Sequence, residues 1–168
     1  MEIRIRTVEN ERDIRFFERL NFESYKLEFL RDREITEEEA RREFEEFEKS
    51  DPLNPWGEDH QVFLATNEED TLMGLIWLAK REPFYVFEER LVWIYNLHVV
   101  PEHRRKGLAR HLLGEVEKWA RLEGLKSIGL HVIDFNKPAR HLYESSGYEL
   151  VATHNDSCFY EKRIELPT

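Results

Sequence analysis

The order of apolar patterns along the chain predicts an α/β protein, a mixed β-sheet flanked by helices in the order β-α-α-β-β-β-α-β-α-β-β. Three observations carry this. Short stretches such as 2–7, where Ile3 and Ile5 alternate with charges, and apolar runs such as 90–99 have the period and composition of strands. Longer stretches between them place apolar residues three and four apart, as a helix with one inward face does. Glycine, proline and asparagine fall at the boundaries. A chain of 168 residues is long enough to bury one core without disulfide or metal, so residues 1–168 are expected to form a single domain.

Taken in order, residues 2–7 are the first strand, and Asn10 is placed to cap a helix reaching about Arg31 with Ile14, Phe17 and Leu20 inward. Thr36 and Glu39 have capping-box spacing and open a second helix burying Ala40, Phe44 and Phe47; Glu37 and Arg41 stand four apart, as ion pairs do. Asp51-Pro52-Leu53-Asn54-Pro55-Trp56-Gly57 ends that helix in a loop. Residues 61–66 and 72–80 then form a hairpin around Asn67-Glu68-Glu69-Asp70. An aromatic connection, 82–89, leads to the strand 90–99. The next helix stops at Gly124, a strand covers 126–133, and a short helix spans about 137–146 before Gly147. A final hairpin, 148–153 and 158–164, turns at His154-Asn155-Asp156-Ser157.

Composition removes several functions. With 25 Lys+Arg against 35 Asp+Glu, the formal charge of −10 repels nucleic acid and acidic membrane surfaces and favours a cationic partner. No apolar run approaches bilayer length and no charged-then-apolar leader follows Met1, so a cytoplasmic protein is expected. Cys158 stands alone and reads as a small packing residue. There is no Walker loop, no Gly-x-Gly-x-x-Gly and no His-Glu-x-x-His, so neither a dinucleotide nor a metal site is expected. The oligomeric state stays open, a homodimer included.

One segment carries positive chemistry. Arg104-Arg105-Lys106-Gly107-Leu108-Ala109-Arg110 joins the strand 90–99 to an amphipathic helix. A strand turning through a glycine into a helix leaves the first helical N–H groups unpaired, all aimed one way beside cationic side chains, which suits a phosphate or pyrophosphate. A helix cap with solvated arginines is the plainer reading of the same residues.

Arg104-x-x-Gly107-x-Ala109 resembles the acyl-CoA pyrophosphate loop of the GCN5-related N-acetyltransferase (GNAT) family. Upstream, Asn96-Leu97-His98-Val99-Val100-Pro101 is similar to the family's strand and turn entering that loop; downstream, Leu130-His131-Val132, Asn136, Ala139, Leu142-Tyr143-Glu144 and Gly147-Tyr148 follow its second signature in order and spacing. The resemblance spans about the C-terminal half. It implies a GNAT-like sheet that splays between its fourth and fifth strands, and an N-acetyltransferase moving acetyl from acetyl-CoA to a primary amine of a small molecule. A protein or peptide amine as acceptor, and an acyl-CoA-binding module without catalysis, remain as alternatives.

The same resemblance assigns residues. The main chain of Leu97, His98 and Val99 would bond the pantetheine arm as an added strand, and a bulge around these residues would aim donors at the developing oxyanion. The pyrophosphate would take N–H groups from Arg105, Lys106, Gly107, Leu108, Ala109 and Arg110. Asn136 would bond the CoA arm, although before Lys137-Pro138 it is also a good helix cap. Tyr143 would protonate the departing thiolate, or be a core tyrosine. His131 stands where some members carry a catalytic glutamate; it would be the general base or a buried histidine, with Glu88, Glu89, Tyr95 and Asp134 as rivals.

Overall fold

The computed structural model describes residues 1–168. Its elements are β1 (Arg4–Thr7), α1 (Glu11–Phe29), α2 (Glu37–Ser50), β2 (His60–Thr66), β3 (Leu72–Arg81), β4 (Leu91–Val99), α3 (Leu108–Leu122), β5 (Ser127–Ile133), α4 (Lys137–Ser145), β6 (Glu149–His154) and β7 (Ser157–Arg163). The predicted order holds throughout. The strands form one sheet in the order β1-β2-β3-β4-β5-β7-β6, antiparallel except for the β4–β5 pair.

The helices divide between the two faces because their apolar stripes do. Phe16, Phe17 and Leu20 of α1 pack on Val62, Leu64, Leu75 and Val100. On the other face, Leu108, Leu112, Leu113, Val116 and Trp119 of α3 cover Ile76, Leu78, Val92 and Ile94. Each such apolar side chain fully removed from water contributes about 1.5–3 kcal/mol, so these two stripes fix which face each helix occupies.

The caps form as expected. Asn10 Oδ1 accepts the Asp13 N–H at 3.0 Å, and Thr36 Oγ1 accepts the Glu39 N–H at 3.1 Å. Two expectations for the helical pair fail. Phe47 is 48% exposed, because α2 buries only Ala40 and Phe44 against Phe22 and Leu30; its ring lies on Phe29 and Tyr25 at the surface. Glu37 bonds Lys26 rather than Arg41, and Arg41 stacks over the Phe22 ring at 4.0 Å.

A charged cluster invisible to pattern reading ties β1 to α1. The Asp13 carboxylate is fully buried and takes both Nη groups of Arg6, at 2.6 and 2.9 Å, plus the Glu9 N–H at 2.9 Å. Arg6 also forks onto exposed Asp70 in the β2–β3 turn, at 2.8 and 3.1 Å. The guanidinium holds the Asp13 carboxyl below its ordinary pKa.

The sheet opens where the sequence resemblance implied, and the register shows why. β4 and β5 pair only at Val92–Ile128, Trp93–Gly129 and Ile94–Leu130. Beyond that, β4 skips a residue against β3, where Trp77 pairs Asn96 and Leu78 pairs Ile94. The extra residue is Tyr95. A bulge bends its strand and increases local twist, which draws β4 away from β5. The bulge therefore lies two residues before the predicted Leu97–Val99 stretch, whose pairing with β3 is regular.

Candidate active site

The apex of the split is set by Tyr95 on β4 and His131 on β5, the first residues beyond the last β4–β5 pair. Past it, β4 carries main-chain groups with no neighbouring strand. Val100 N–H bonds Met73 O, so in the antiparallel ladder the groups of His98 also face β3 while those of Leu97 and Val99 face the gap. The His98 main chain, expected to bond a ligand in the gap, is thus turned toward β3. The His98 imidazole instead turns to α1, with Nδ1 2.8 Å from Ser24 Oγ, and burial pulls its pKa down to about 4. Asn96 completes this polar cluster by donating to Asn21 Oδ1 at 2.8 Å.

The chain then passes through the turn Pro101–His103 and enters α3. Arg105 at φ 64 and Gly107 at φ 82 are both left-handed. Only glycine takes that conformation without penalty, and a non-glycine residue held there marks strain of the kind found at ligand sites. A Cβ added at Gly107 would meet nothing within 4 Å, so the position requires glycine for its backbone and not for space within the protein. No side chain caps α3. Its first free N–H groups face outward beside Arg104, Arg105 and Lys106, a concavity that favours an anion. Arg104 Nε is fixed to Val99 O at 3.0 Å, and Arg110 donates to Ser145 Oγ at 2.8 Å, tying the loop to the end of α4.

Tyr143 sits on α4 in the main core, 7% exposed, with Leu130 and Val132 among its cluster. Its ring meets Tyr148 edge-on with centroids 5.7 Å apart. Burial alone raises its pKa, so the phenol stays protonated at any working pH. Asn136 caps α4 through Oδ1 to the Ala139 N–H at 3.3 Å, which leaves its Nδ2 for any ligand. Cys158 is buried in the same core.

His131 projects to the opposite face, as strand alternation requires. Its Nε2 lies 2.8 Å from Ser157 Oγ and its Nδ1 3.7 Å from Glu28 Oε1. Burial lowers its pKa and Asp156 partly opposes that, so the ring is neutral near pH 7. Burial and then Asp156 raise the Glu28 carboxyl. Glu28, 103 residues earlier on α1, gave no sign in the sequence, since only the topology brings α1, β5 and the β6–β7 turn together. Beside His131, Phe159 at 5.4 Å begins an aromatic groove of about 280 Å³ lined by Phe84, Tyr85, His154 and Phe159.

Of the rivals, Tyr95 stacks on His60 with centroids 5.9 Å apart, and burial raises its pKa, which makes it a donor and not a base. Glu89 faces Arg163 at 3.0 Å and precedes β4, at the far end from the split. Asp134 follows β5, where its carbonyl accepts from Arg140. Glu88 is exposed before β4.

The sequence profile of the Acetyltransferase (GNAT) family matches residues 25–148. The chain is 33% identical over 90 residues to YycN of Bacillus subtilis, an N-acetyltransferase itself uncharacterised; the match covers 54% of this chain and 55% of that relative. Among solved structures, a Pyrococcus furiosus protein proposed to be an acetyl transferase is 31% identical, with a TM-score of 0.73 over 92% of this chain and 97% of that one. PaiA N-acetyltransferase from Thermoplasma acidophilum, solved with coenzyme A, shares the fold at 21% identity, with a TM-score of 0.72 over 97% and 99% of the two chains. No helix here is long and apolar enough to cross a membrane. With a matching profile spanning the β4–α3 loop, the split and α4, the chain belongs to the GNAT acetyltransferase family.

Proposed function

We propose that residues 1–168 act as one catalytic domain that transfers acetyl from acetyl-CoA directly to a primary amine of a small molecule, with the acceptor drawn in as a cation. The observation that carries this is the continuity of the split with the phosphate-type loop: the strand edge at Leu97 and Val99, unpaired by any strand and met at the Val99 carbonyl by the Arg104 side chain, leads straight into the left-handed turn at Arg105 and Gly107 and the uncapped start of α3. An amide-bearing arm ending in a pyrophosphate matches both halves. The CoA-bound fold relative supports the same ligand.

His131 and Tyr143 lie on opposite faces of the sheet, and the split connects the faces. Acetyl-CoA supplies a thioester, so transfer from an ammonium forms one C–N bond, breaks one C–S bond and takes two protons from nitrogen: one is released to solvent through the base, and the other balances the proton delivered to sulfur. Leu97 and Val99 would hold the arm in extended form, and Leu108, Ala109 and Arg110 N–H groups with Arg104, Arg105 and Lys106 would hold the phosphates. His131 would take the acceptor's proton from the α1 face. Tyr143 would present its hydroxyl proton to the sulfur from the α4 face. Holding both reactants in one slot supplies much of the acceleration. The acidic surroundings of His131, Glu28 and Asp156, support a cationic acceptor.

Saturating acetyl-CoA should raise the melting temperature. A ligand at 100 times its Kd stabilises by about 2.7 kcal/mol, or about 5–10 °C for a domain of this size. Gly107→Val should abolish most of that shift, because valine cannot hold φ 82 without distorting the turn. An unmoved melting temperature for the native chain overturns the proposal.

The pH profile tests the base. A histidine with a lowered pKa stays neutral further into acid, so the acid limb of kcat/KM should lie below the ordinary histidine value of about 6.5. Glu28, Asp156 and the Ser157 hydroxyl face the ring and tune the limb. His131→Gln should remove it while leaving the acetyl-CoA thermal shift in place. A limb that survives that substitution assigns deprotonation elsewhere.

A further inference from the structure

Resting on the acetyltransferase reading, we propose that the acceptor is a primary amine carried on a compact aryl body, its ammonium between Glu28 and His131 and its ring in the groove of Phe84, Tyr85 and Phe159. Charge and apolarity are segregated on this side of the split. The carboxylates of Glu28 and Asp156 are grouped around His131, where Glu28 Oε1 and His131 Nδ1 are 3.7 Å apart and both side chains are about one-third exposed or less, 35% and 28%. An ammonium entering there meets an anion and the nitrogen that would accept its proton.

The adjoining groove carries no carboxylate at all; its lining is Phe84, Tyr85, His154 and Phe159. Tyr85 and Phe159 stand 4.9 Å apart at 57°, presenting two inclined ring faces, and Tyr85 is 59% exposed at φ 51. An exposed tyrosine held in the left-handed region is costly in both hydration and backbone terms, and a ring bound against it removes apolar surface from water. Inclined ring contacts add attraction beyond that burial. Phe159 belongs to both places, 5.4 Å from the His131 ring and forming the near wall of the groove. The reactive nitrogen and the apolar body must therefore be only a few bonds apart. A linear polyamine fits this arrangement poorly, since its distal ammonium would enter a groove with no counter-charge, and a polypeptide N-terminus would bring polar amides there instead.

The test measures acetyl-CoA-dependent thiol release with 2-phenylethylamine, ethylamine, spermidine and a short peptide with a free N-terminus. kcat/KM for 2-phenylethylamine should exceed that for ethylamine and for spermidine by about 10–100-fold, the range a filled apolar pocket gives. Tyr85→Ala, at an exposed loop position, and Phe159→Ala should each reduce that ratio about ten-fold, and Glu28→Gln should raise KM for 2-phenylethylamine with the acetyl-CoA thermal shift retained. Ethylamine, spermidine or the peptide matching 2-phenylethylamine overturns the acceptor class and leaves the acetyltransferase reading standing. No thiol release with any of the four amines, together with no acetyl-CoA thermal shift, overturns both. A ratio unmoved in both aromatic variants removes the groove from acceptor selection.

Discussion

Tyr143→Phe should lower kcat by about 10²–10⁴-fold, the usual contribution of a positioned proton donor, while acetyl-CoA stabilises the variant as it does the native chain. The ring that packs against Tyr148 stays, and only the hydroxyl is lost. Burial is the single cause of the phenol's raised pKa, with no charge or hydrogen bond holding it. Removing a hydroxyl with no such partner should not lower the melting temperature and relieves its desolvation. The two readings of Tyr143 thus diverge cleanly. As a proton source it loses rate and keeps stability; as a packing residue it keeps both. Equal kcat for the two proteins with the same good acceptor would end the catalytic assignment and leave thiolate protonation to water. A fall in kcat/KM as large as that in kcat would place the lost interaction in the transition state alone.

What the sequence disclosed and what it hid follow a physical line. Asn10, Thr36 and Asn136 were legible as caps because a cap is a contact three residues long, fixed by local chemistry. Gly107 was legible for the same reason, since a strand-to-helix turn through φ 82 calls for glycine. The split was legible only through family likeness, since it depends on how far β4 and β5 pair. The skipped register at Tyr95, which bends β4 away from β5, has no counterpart in the sequence pattern, where 91–95 is a continuous apolar run. Phe47 misled because helical spacing says which residues share a face but not how far along the helix its neighbour reaches. Glu28, His131 and Asp156 could not be grouped from sequence at all, being on a helix, a strand and a turn that meet only in the finished sheet.

Arg6→Leu should be among the most damaging single changes to the fold, costing about 3–5 kcal/mol, the range for stranding a buried charge. Asp13 has no exposed side-chain surface, and its two charge-assisted bonds to Arg6 are what offset its desolvation. Arg6 has a second partner in Asp70, but Asp70 is half exposed. Asp70→Ala should therefore cost about 1 kcal/mol or less. The asymmetry is the point of the test, which reads urea unfolding at pH 7. The double variant Arg6→Leu, Asp13→Leu should recover part of the loss, because an apolar pair removes the buried charge that the single variant leaves behind. pH gives an independent check. A carboxyl whose folded pKa is depressed stabilises above its unfolded value near 3.8 and loses that contribution as pH falls through the folded value. The native chain should accordingly shed this stability only in strong acid, whereas the Arg6→Leu chain should gain stability relative to it as the pH falls and Asp13 takes up a proton. If Arg6→Leu and Asp70→Ala cost the same at pH 7, the β1–α1 clasp is a surface ion pair in effect, and the sheet edge is held by its apolar contacts alone.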